Sequence, residues 1–383
     1  MISRNSLRNI YPIKKLGDIA DFLDSRRKPV KESDRLIGPY PYYGANGLQG
    51  WINDYLFDED LILLAEDGGH FDNPNRGVAY KITGKTWVNN HAHVIKPKEG
   101  VDLNYLCRVL ENYDLTPWIT GTTRGKLTKG GASEILIPLP SISEQRRIAS
   151  ILDKADKLRQ KRQQAIEKLD QLLQATFIDM FGDPVSNPKG WDLKSVGEVS
   201  ESKLGKMLDK KKQSSEKDQY KYLRNANVKW FKFDLSDLLE MEFNEKDRKN
   251  CELKFGDILV CEGGEPGRAA IWKNDLENCF FQKALHRVRL NTAQILPEYF
   301  VWLFWFYAKN GGFDDHITVA TIAHLTGIKM KAMQIPIPPI SLQEEFQKKI
   351  NEIEVLKTKH ESSSKLVENL FISLQNQAFS GNL

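Results

Sequence analysis

Ile137-Pro138-Leu139-Pro140-Ser141-Ile142-Ser143-Glu144-Gln145-Arg146-Arg147-Ile148 returns, 198 residues later, as Ile335-Pro336-Ile337-Pro338-Pro339-Ile340-Ser341-Leu342-Gln343-Glu344. The register holds outward from these strings: Leu127-Thr128 maps onto Leu325-Thr326, Leu172 onto Leu370 and Phe181 onto Phe379 without a gap. An earlier echo, Tyr11-Pro12-Ile13-Lys14-Lys15-Leu16-Gly17-Asp18-Ile19 against Trp191-Asp192-Leu193-Lys194-Ser195-Val196-Gly197-Glu198-Val199, runs at an offset of 180, so the second globular part carries about 18 more residues. A repeat of about 190 residues is far too long for a solenoid unit. It implies one module, globular domain plus long helix, present twice. The result is two similar but non-identical domains in a molecule of approximate two-fold symmetry.

Prolines 138 and 140, and 336, 338 and 339, cannot sit inside a helix, so each long helix starts after them. Ser143 and Ser341 are the expected N-caps, with Glu144 and Glu344 near the positive end of the helix dipole. Beyond the caps Ile148, Ile151, Ala155, Leu158, Arg162, Ala165, Leu169, Leu172 and Thr176 are spaced alternately three and four apart. The second copy gives Phe346, Lys349, Ile353, Leu356, His360, Ser363, Val367, Leu370 and Leu374. This is a heptad seam in both copies, over helices of about 38 residues or ~57 Å. A helix this long with an apolar stripe needs a partner, and two-fold symmetry predicts an antiparallel pair in which Arg162 meets His360; the plainer alternative is that each helix packs separately onto its own domain. Lys349, standing where Ile151 stands, makes the second helix poorer at its start. Ile166, Leu173 and Ile178 are left for an outer, partner-facing side.

Within each globular part short apolar runs alternate with turn residues, as strands do. Leu61–Ala65 precedes Asp67-Gly68-Gly69, Trp87-Val88 precedes His91–Ile95, and Leu103–Tyr113 reads as a helix. The matching stretches are Asp257–Cys261 before Gly263-Gly264, Leu285–Val288, and a helix near Pro297–Tyr307. The expected fold class is therefore α+β: two similar mixed α/β domains separated by two long antiparallel coiled-coil helices. The boundaries are 1–142 for the first domain, 143–181 for its helix, 182–190 for a linker, 191–340 for the second domain and 341–379 for the last helix.

With 383 residues, 40% hydrophobic and 28% charged, the chain suits two or three domains of an ordinary soluble protein. A net charge of +4 is compatible with a nucleic-acid partner and does not by itself argue for one. Cys107, Cys251, Cys261 and Cys279 show no CxxC pairing, so neither a zinc ribbon nor a disulfide framework is indicated, and a reducing, cytoplasmic setting is the default. The N-terminal Met1-Ile2-Ser3-Arg4 lacks a signal-peptide core. The most apolar run, Tyr299 to Ala308, falls well short of the ~20 residues that span a bilayer and reads as a buried helix.

Catalytic motifs are missing. Gly84-Lys85-Thr86 resembles the end of a P-loop, but the template's first glycine would fall at residue 79, which is alanine. Gly121-Thr122-Thr123-Arg124-Gly125-Lys126-Leu127 is one residue short and ends in leucine. There is no Asn-Pro-Pro-Tyr or Asp-Pro-Pro-Tyr quartet, no Pro-Asp…Glu-x-Lys nuclease core and no nucleophile elbow. His91 and His93, two apart on a strand, share a face but lack the Cys/His neighbours of a metal site, which favours a hydrogen-bonding role. No catalytic residue, metal or cofactor is expected on this chain.

The loops carry a different chemistry. Arg26, Arg27 and Lys28 stand with Tyr42, Tyr43 and Asn46 in the first domain, and Thr122, Thr123, Arg124 and Lys126 follow among glycines. The second domain offers Lys206, Lys210, Lys211, Arg224, Asn225, Asn227 and Arg268, with Thr318, Thr321 and His324 in the slots of the threonine-rich loop. Lys and Arg neutralise phosphates, and the forks of Arg and Asn fit guanine and adenine edges. Each cluster also has a plainer reading, Lys210-Lys211-Lys212 as a solvated loop and Tyr42-Tyr43 as core.

These residues together resemble the specificity subunit of type I restriction–modification systems, over essentially the whole chain. The paired Ile-Pro-rich helix entries carry the resemblance, with Tyr42-Tyr43-Gly44-Ala45-Asn46-Gly47 and Phe181-Gly182-Asp183 as further typical strings. The resemblance implies two target-recognition domains on a helical spacer, each reading one half of a split, asymmetric sequence in double-stranded DNA. It implies two bound methyltransferase subunits, which methylate adenine N6 with S-adenosylmethionine, and room for two ATP-driven restriction subunits. S-adenosylmethionine, ATP and Mg would then belong to those partners. Rigid helices would fix the spacing of the two heads, with half-sites about 34 Å apart facing one side of the duplex. The competing readings are the specificity subunit of another restriction assembly built on the same module, and a structural adaptor that binds no DNA. Co-purifying proteins separate the first, and salt-insensitive binding would mark the second.

Overall fold

The strand Leu61–Ala65 is buried along its whole length because it has a hydrophobic neighbour on each face. Ile62 and Leu64 point into a core shared with the helix Leu103–Glu111, while Leu61 and Leu63 point into a second core with Phe57, Val88 and Val94. That is the period-two alternation of a strand sandwiched between layers. The strand Ile258–Cys261 repeats the pattern: Ile258 and Val260 face the helix Pro297–Asn310, and Leu259 and Cys261 face Phe243, Trp272 and Phe281.

The computed structural model describes residues 11–71, 77–111, 113–121, 125–207, 219–316, 318–319 and 323–383. The chain divides into two compact units, Met1–Ala165 with His360–Leu383, and Ile166–Lys359. Unit 1 has a four-stranded antiparallel sheet in the order Ala20–Phe22, Ala92–Pro97, Leu61–Ala65, Ala79–Ile82. A second sheet runs Gly47–Ile52, Tyr40–Gly44, Lys85–Val88, Phe57–Asp58, with its central pair parallel. Unit 2 has the corresponding sheet Ser200–Leu204, Leu285–Leu290, Ile258–Cys261, Ala269–Ile271. Its second sheet is Leu239–Glu242, Gln219–Leu223, Phe280–Phe281, again with one parallel pair.

The repeated entry to the long helices is built identically in both units. Ile13 pairs with Pro138 and Leu193 with Pro336 in short antiparallel ribbons. Tyr105 donates its hydroxyl to the Pro138 carbonyl at 2.7 Å, and Tyr299 to that of Pro336 at 2.9 Å. A buried glutamine then locks each first turn. Gln145 donates to the carbonyls of Gly100 and Pro140 and accepts from the Asp102 N–H; Gln343 donates to Gln294 and Pro338 and accepts from Leu296. Three main-chain groups with no regular partner are satisfied by one side chain.

The long helices span Ile142–Phe181 and Ile340–Ser380, 40 and 41 residues. Both start one residue before the expected caps, so Ser143 and Ser341 lie within the first turns and are not the N-caps. Ser141 accepts from the Glu144 N–H at 3.4 Å, and the Pro339 carbonyl accepts the first amides of the second helix. Proline tolerates a helix start because the amide it lacks would have no intrahelical partner.

In each unit the two helices run antiparallel. Unit 1 pairs Arg147 with Leu383, Arg159 with Glu368, and Arg162 Nη1 with His360 Nδ1 at 3.4 Å. Unit 2 pairs Phe177 with Phe346 and Asp170 with Lys357. The seam is a heptad, but half of its positions sit one residue later than the sequence reading placed them. Ile148, Arg162, Leu169, Phe346, Ile353, His360 and Val367 are inward or half-buried. Between them the seam uses Leu152, Arg159, Leu173, Ile350, Lys357 and Phe371, whereas Leu158, Leu172, Leu356 and Leu370 are exposed. Ile151 is only half-buried. The spacing four-three and the spacing three-four satisfy the same heptad from one anchor, and at Ile151/Leu152, Leu172/Leu173 and Leu370/Phe371 both candidate positions are apolar. The globular domains decide the choice, because Leu152, Phe371, Leu173 and Ile350 also complete domain cores. Two expectations change accordingly. Lys349 is no defect in the seam, since Ile350 fills that place, and Leu173 is core rather than partner-facing. Among the described residues no helix is long and apolar enough to cross a membrane.

Candidate nucleic-acid interface

Each buried central strand ends in a carboxylate followed by glycines, Glu66-Asp67-Gly68-Gly69 in unit 1 and Glu262-Gly263-Gly264-Glu265 in unit 2. Gly68 and Gly264 take φ of 64° and 77°, where a side chain would be strained. The Leu-Thr segment of the repeat docks beneath: the Leu127 N–H donates to the Glu66 carbonyl, and that of Leu325 to the Glu262 carbonyl, both at 2.7 Å. An asparagine from the neighbouring sheet closes the loop, Asn46 Nδ2 donating to Gly68 O at 3.0 Å and Asn225 Nδ2 to Gly263 O at 2.9 Å. One frame thus gathers separate loops of each domain.

In unit 1 the frame is ionic. His93, buried, lies with Nδ1 2.7 Å from Asp24 Oδ2 and Nε2 2.8 Å from Leu127 O. Arg27 Nη1 donates to Glu66 Oε2 and to the Ala92 carbonyl, both at 2.6 Å. Asp24, Glu66 and His93 approach one another closely enough to hold a cation, and the Arg27 guanidinium supplies that charge. Burial pushes the Asp24 carboxyl up, but hydrogen bonds from His93 and the Val94 amide, with Arg27 nearby, hold it below its ordinary range. His91 instead lies outside the strand, with Nδ1 2.6 Å from Asp67.

In unit 2 the register of the sheet puts Leu204 opposite His286, where Asp24 serves His93. His286 is buried, its Nε2 has no hydrogen bond and Glu262 stands 4.0 Å away. Burial holds its pKa below the ordinary 6.5, against the opposing pull of Glu262. The folded state therefore binds fewer protons than the unfolded one just below pH 6.5, so stability present above that pH is lost as pH falls through the folded value. Urea unfolding of wild type and His286→Leu between about pH 7.5 and 5 is expected to show an acid-dependent loss that the variant lacks. Equal slopes would remove His286 as its source.

The sequence-marked residues separate into several groups. Thr122, Thr123, Arg124, Lys210, Lys211 and Thr321 lie outside the described residues. Thr318 is placed by its backbone alone, paired with His324 in a short ribbon next to Gly263. Tyr42 and Asn227 are buried: the Tyr42 hydroxyl meets the Val30 main chain, and Asn227 Nδ2 donates to the carbonyls of Asp234 and Asp237. Their polar atoms organise the loops and are not on the surface, and Arg27 is likewise committed inward. Tyr43 is half-buried against Tyr80. Arg26 is exposed over Phe57 and bonded to Glu59, apart from the glycine loop. Lys206 is tied to Asp247, and Lys126 to Glu66. Arg224 is bonded to Asp237, and Arg268 to Glu265 and the Asn225 carbonyl. Lys28, Asn46, Lys126 and His324 are exposed.

Sequence reasoning missed the acids that hold these cations. Glu66, Asp67, Glu262 and Glu265 had a usable signal, their adjacency to paired glycines, whereas nothing marked Asp237. The four cysteines are buried, and burial pushes the Cys261 thiol up to about 11 and that of Cys279 up to about 12, away from thiolate chemistry.

The family whose model matches this chain is the type I restriction modification DNA specificity domain, over residues 11–168 and again over 188–361. A Haemophilus influenzae protein named as a putative type I restriction enzyme specificity subunit is 29% identical over 90% of this chain and 87% of its own length. The MjaIX specificity subunit of Methanocaldococcus jannaschii is 25% identical over 86% and 84%. Among solved structures, the S subunit of the M. genitalium type I system aligns over 97% of both chains with a TM-score of 0.61 at 13% identity. A chain from a structure of type I R-M complex assembly and conformational transition gives 0.58 over 98% and 99% at 14% identity. At those identities the structures speak for the fold, which is the two-domain α+β architecture with long helices. The two family matches fall on the two copies of one domain, and the chain belongs to the type I restriction–modification DNA specificity family, as a specificity subunit whose role is DNA recognition rather than catalysis.

Proposed function

We propose that this chain reads a bipartite, asymmetric duplex, with each glycine-loop cluster addressing one half-site, and that it presents the duplex to adenine-N6 methyltransferase subunits. The observation that carries this reading is one hydrogen-bonded frame built twice with different side chains upon it. Asn46 and Asn225 close equivalent loops, yet Asp24 gives way to Leu204 and Lys126 to His324. A common scaffold with different loop chemistry is what two different half-sites require.

Methyltransferase partners have apolar surface to dock on. In unit 1 Leu158, Leu366, Leu370 and Ile372 are exposed on the long helices, and in unit 2 Leu172, Ile178, Val355 and Leu356. Exposed leucines on the outer side of a seam are costly in water and fit helix-on-helix association. In this reading two methyltransferase subunits bind S-adenosylmethionine, two restriction subunits bind ATP and Mg, and this chain supplies no cofactor site.

The test is a genome-wide map of N6-methyladenine with and without the gene, followed by replacement of residues 191–340 with those of a relative. Loss of one split motif, and a change in only one half after the replacement, is the expected result. An unchanged map, or a replacement that alters both halves, refutes the assignment of one half-site to each domain.

A further inference from the structure

Among the described residues, ion pairs at the two loop clusters are oriented oppositely. In unit 1 the cation of the pair stands outward: the Lys126 side chain is 49% exposed and its partner Glu66 13%. In unit 2 the order is reversed. Asp237 is 73% exposed in front of Arg224 at 25%, and Glu265 is 39% exposed in front of Arg268 at 18%.

The unit 2 arginines are committed behind these carboxylates. Arg224 Nη2 donates to both the carboxylate and the carbonyl of Asp237. Arg268 donates to Glu265 Oε2 at 3.1 Å and to the Asn225 carbonyl at 2.8 Å. Trp230 Nε1 donates to the other oxygen of Glu265 at 2.7 Å. Asn225 and Asn227 join the segments that carry the two acids. Both acids are thus fixed in one polar network at the glycine loop, each with its negative charge offset by an arginine beneath it. Exposed acids beside a polyanion are unfavourable unless they meet donors. In the major groove of duplex DNA the donors a carboxylate can meet are exocyclic amino groups, cytosine N4 and adenine N6.

We propose that Asp237 and Glu265 are specificity-determining residues of the second domain that accept hydrogen bonds from cytosine or adenine amino groups, with Arg224 and Arg268 as positioning residues behind them. Guanine O6 and thymine O4 occupy the same groove positions as acceptors and are rejected, because acceptor then faces acceptor. The inference rests on the DNA reading proposed above and inverts the expectation that the arginines of this domain touch the bases. The half-site of the first domain, where Lys126 stands outward, is left to acceptor-rich edges and phosphates.

The experiment uses the full chain in complex with its methyltransferase, wild type against Asp237→Asn and Glu265→Gln, on a randomised duplex library at fixed salt. Wild type selects one split motif. Each variant is expected to relax one position in the half assigned to residues 191–340, with discrimination falling on the order of tenfold or more. The other half stays unchanged and reports a folded complex, and Glu265→Asp, which keeps the charge, checks the requirement for reach. Variants that keep the wild-type motif while binding every duplex more tightly overturn the proposal, for then the acids merely mask the arginines. A wild-type complex with no sequence preference overturns the DNA reading itself.

Discussion

Phe346→Asp is expected to unfold the second unit, whereas Leu356→Asp and Leu370→Asp leave the protein folded. Phe346 is fully buried, with ring centroids 5.5 Å from Phe177, 5.2 Å from Phe181 and 6.4 Å from Trp302. Truncating such a side chain costs about 3–5 kcal/mol, and an unpaired carboxylate in its place adds a desolvation penalty. That total is comparable with the whole stability of a domain, roughly 5–15 kcal/mol. Leu356 and Leu370 lie on the outer side of the pair, where a charge meets water. Urea titration by circular dichroism, with limited proteolysis to locate the loss, separates the two outcomes. A seam through Lys349, Leu356 and Leu370 predicts that the leucine variants unfold too, so one set of variants decides the phase of the heptad. The outer variants should instead weaken methyltransferase association, which pull-down of the partner measures.

Arg108→Leu is expected to destabilise unit 1 by about 3 kcal/mol, the low end of what breaking a buried ion pair from one side costs, because this network is only partly buried. Arg108 donates to Asp153 at 2.9 Å, Glu111 at 2.9 Å and Asp156 at 3.1 Å, joining the helix Leu103–Glu111 to the long helix. Burial already raises the Glu111 carboxyl above its ordinary value even with Arg108 in place. Without Arg108, Asp156 keeps its pair with Arg159, while Glu111 and Asp153 lose their bond to the Arg108 guanidinium. The folded-state pKa of Glu111 then rises further, the folded state binds more protons than the unfolded one, and stability recovers as pH falls. The deficit of Arg108→Leu should therefore shrink between about pH 7.5 and 5; a constant deficit would assign the effect to lost packing. In unit 2 the residue three beyond the matching Tyr299 is Trp302, which packs against Phe306, Phe231 and Phe346. The same junction is ionic in one copy and aromatic in the other.

The duplication, the strand–glycine loops and the long helices were legible in the sequence because each is a local or periodic pattern. A buried strand must alternate or run apolar, a helix cannot start before its prolines, and a repeat shows itself by its offset. Ile137–Ile148 against Ile335–Glu344 carried that information without any contact being known. The phase of the seam was a different matter. Where two apolar residues are adjacent, as Ile151 and Leu152 are, or Leu172 and Leu173, either one can serve the seam of an isolated helix. Only the domain cores that receive Leu152, Leu173, Ile350 and Phe371 distinguish them.

The loop chemistry divides in the same way. That the loops of each domain carry arginines, lysines and asparagines, and that such residues suit DNA, is written in the chain. Which of them face outward is set by partners distant in sequence. Glu66 lies 39 residues from Arg27, and a hydrogen bond across 43 residues ties Arg268 to Asn225. Asp237 reaches Arg224 only because Asn227 folds the intervening loop back. The sequence by itself determined the repeated architecture and the residue types available to each head, since these follow from periodicity and composition along the chain. Only the tertiary structure decided which leucines join the seam and which charge stands in front at each loop, because both depend on desolvation by residues that the chain brings together from far apart.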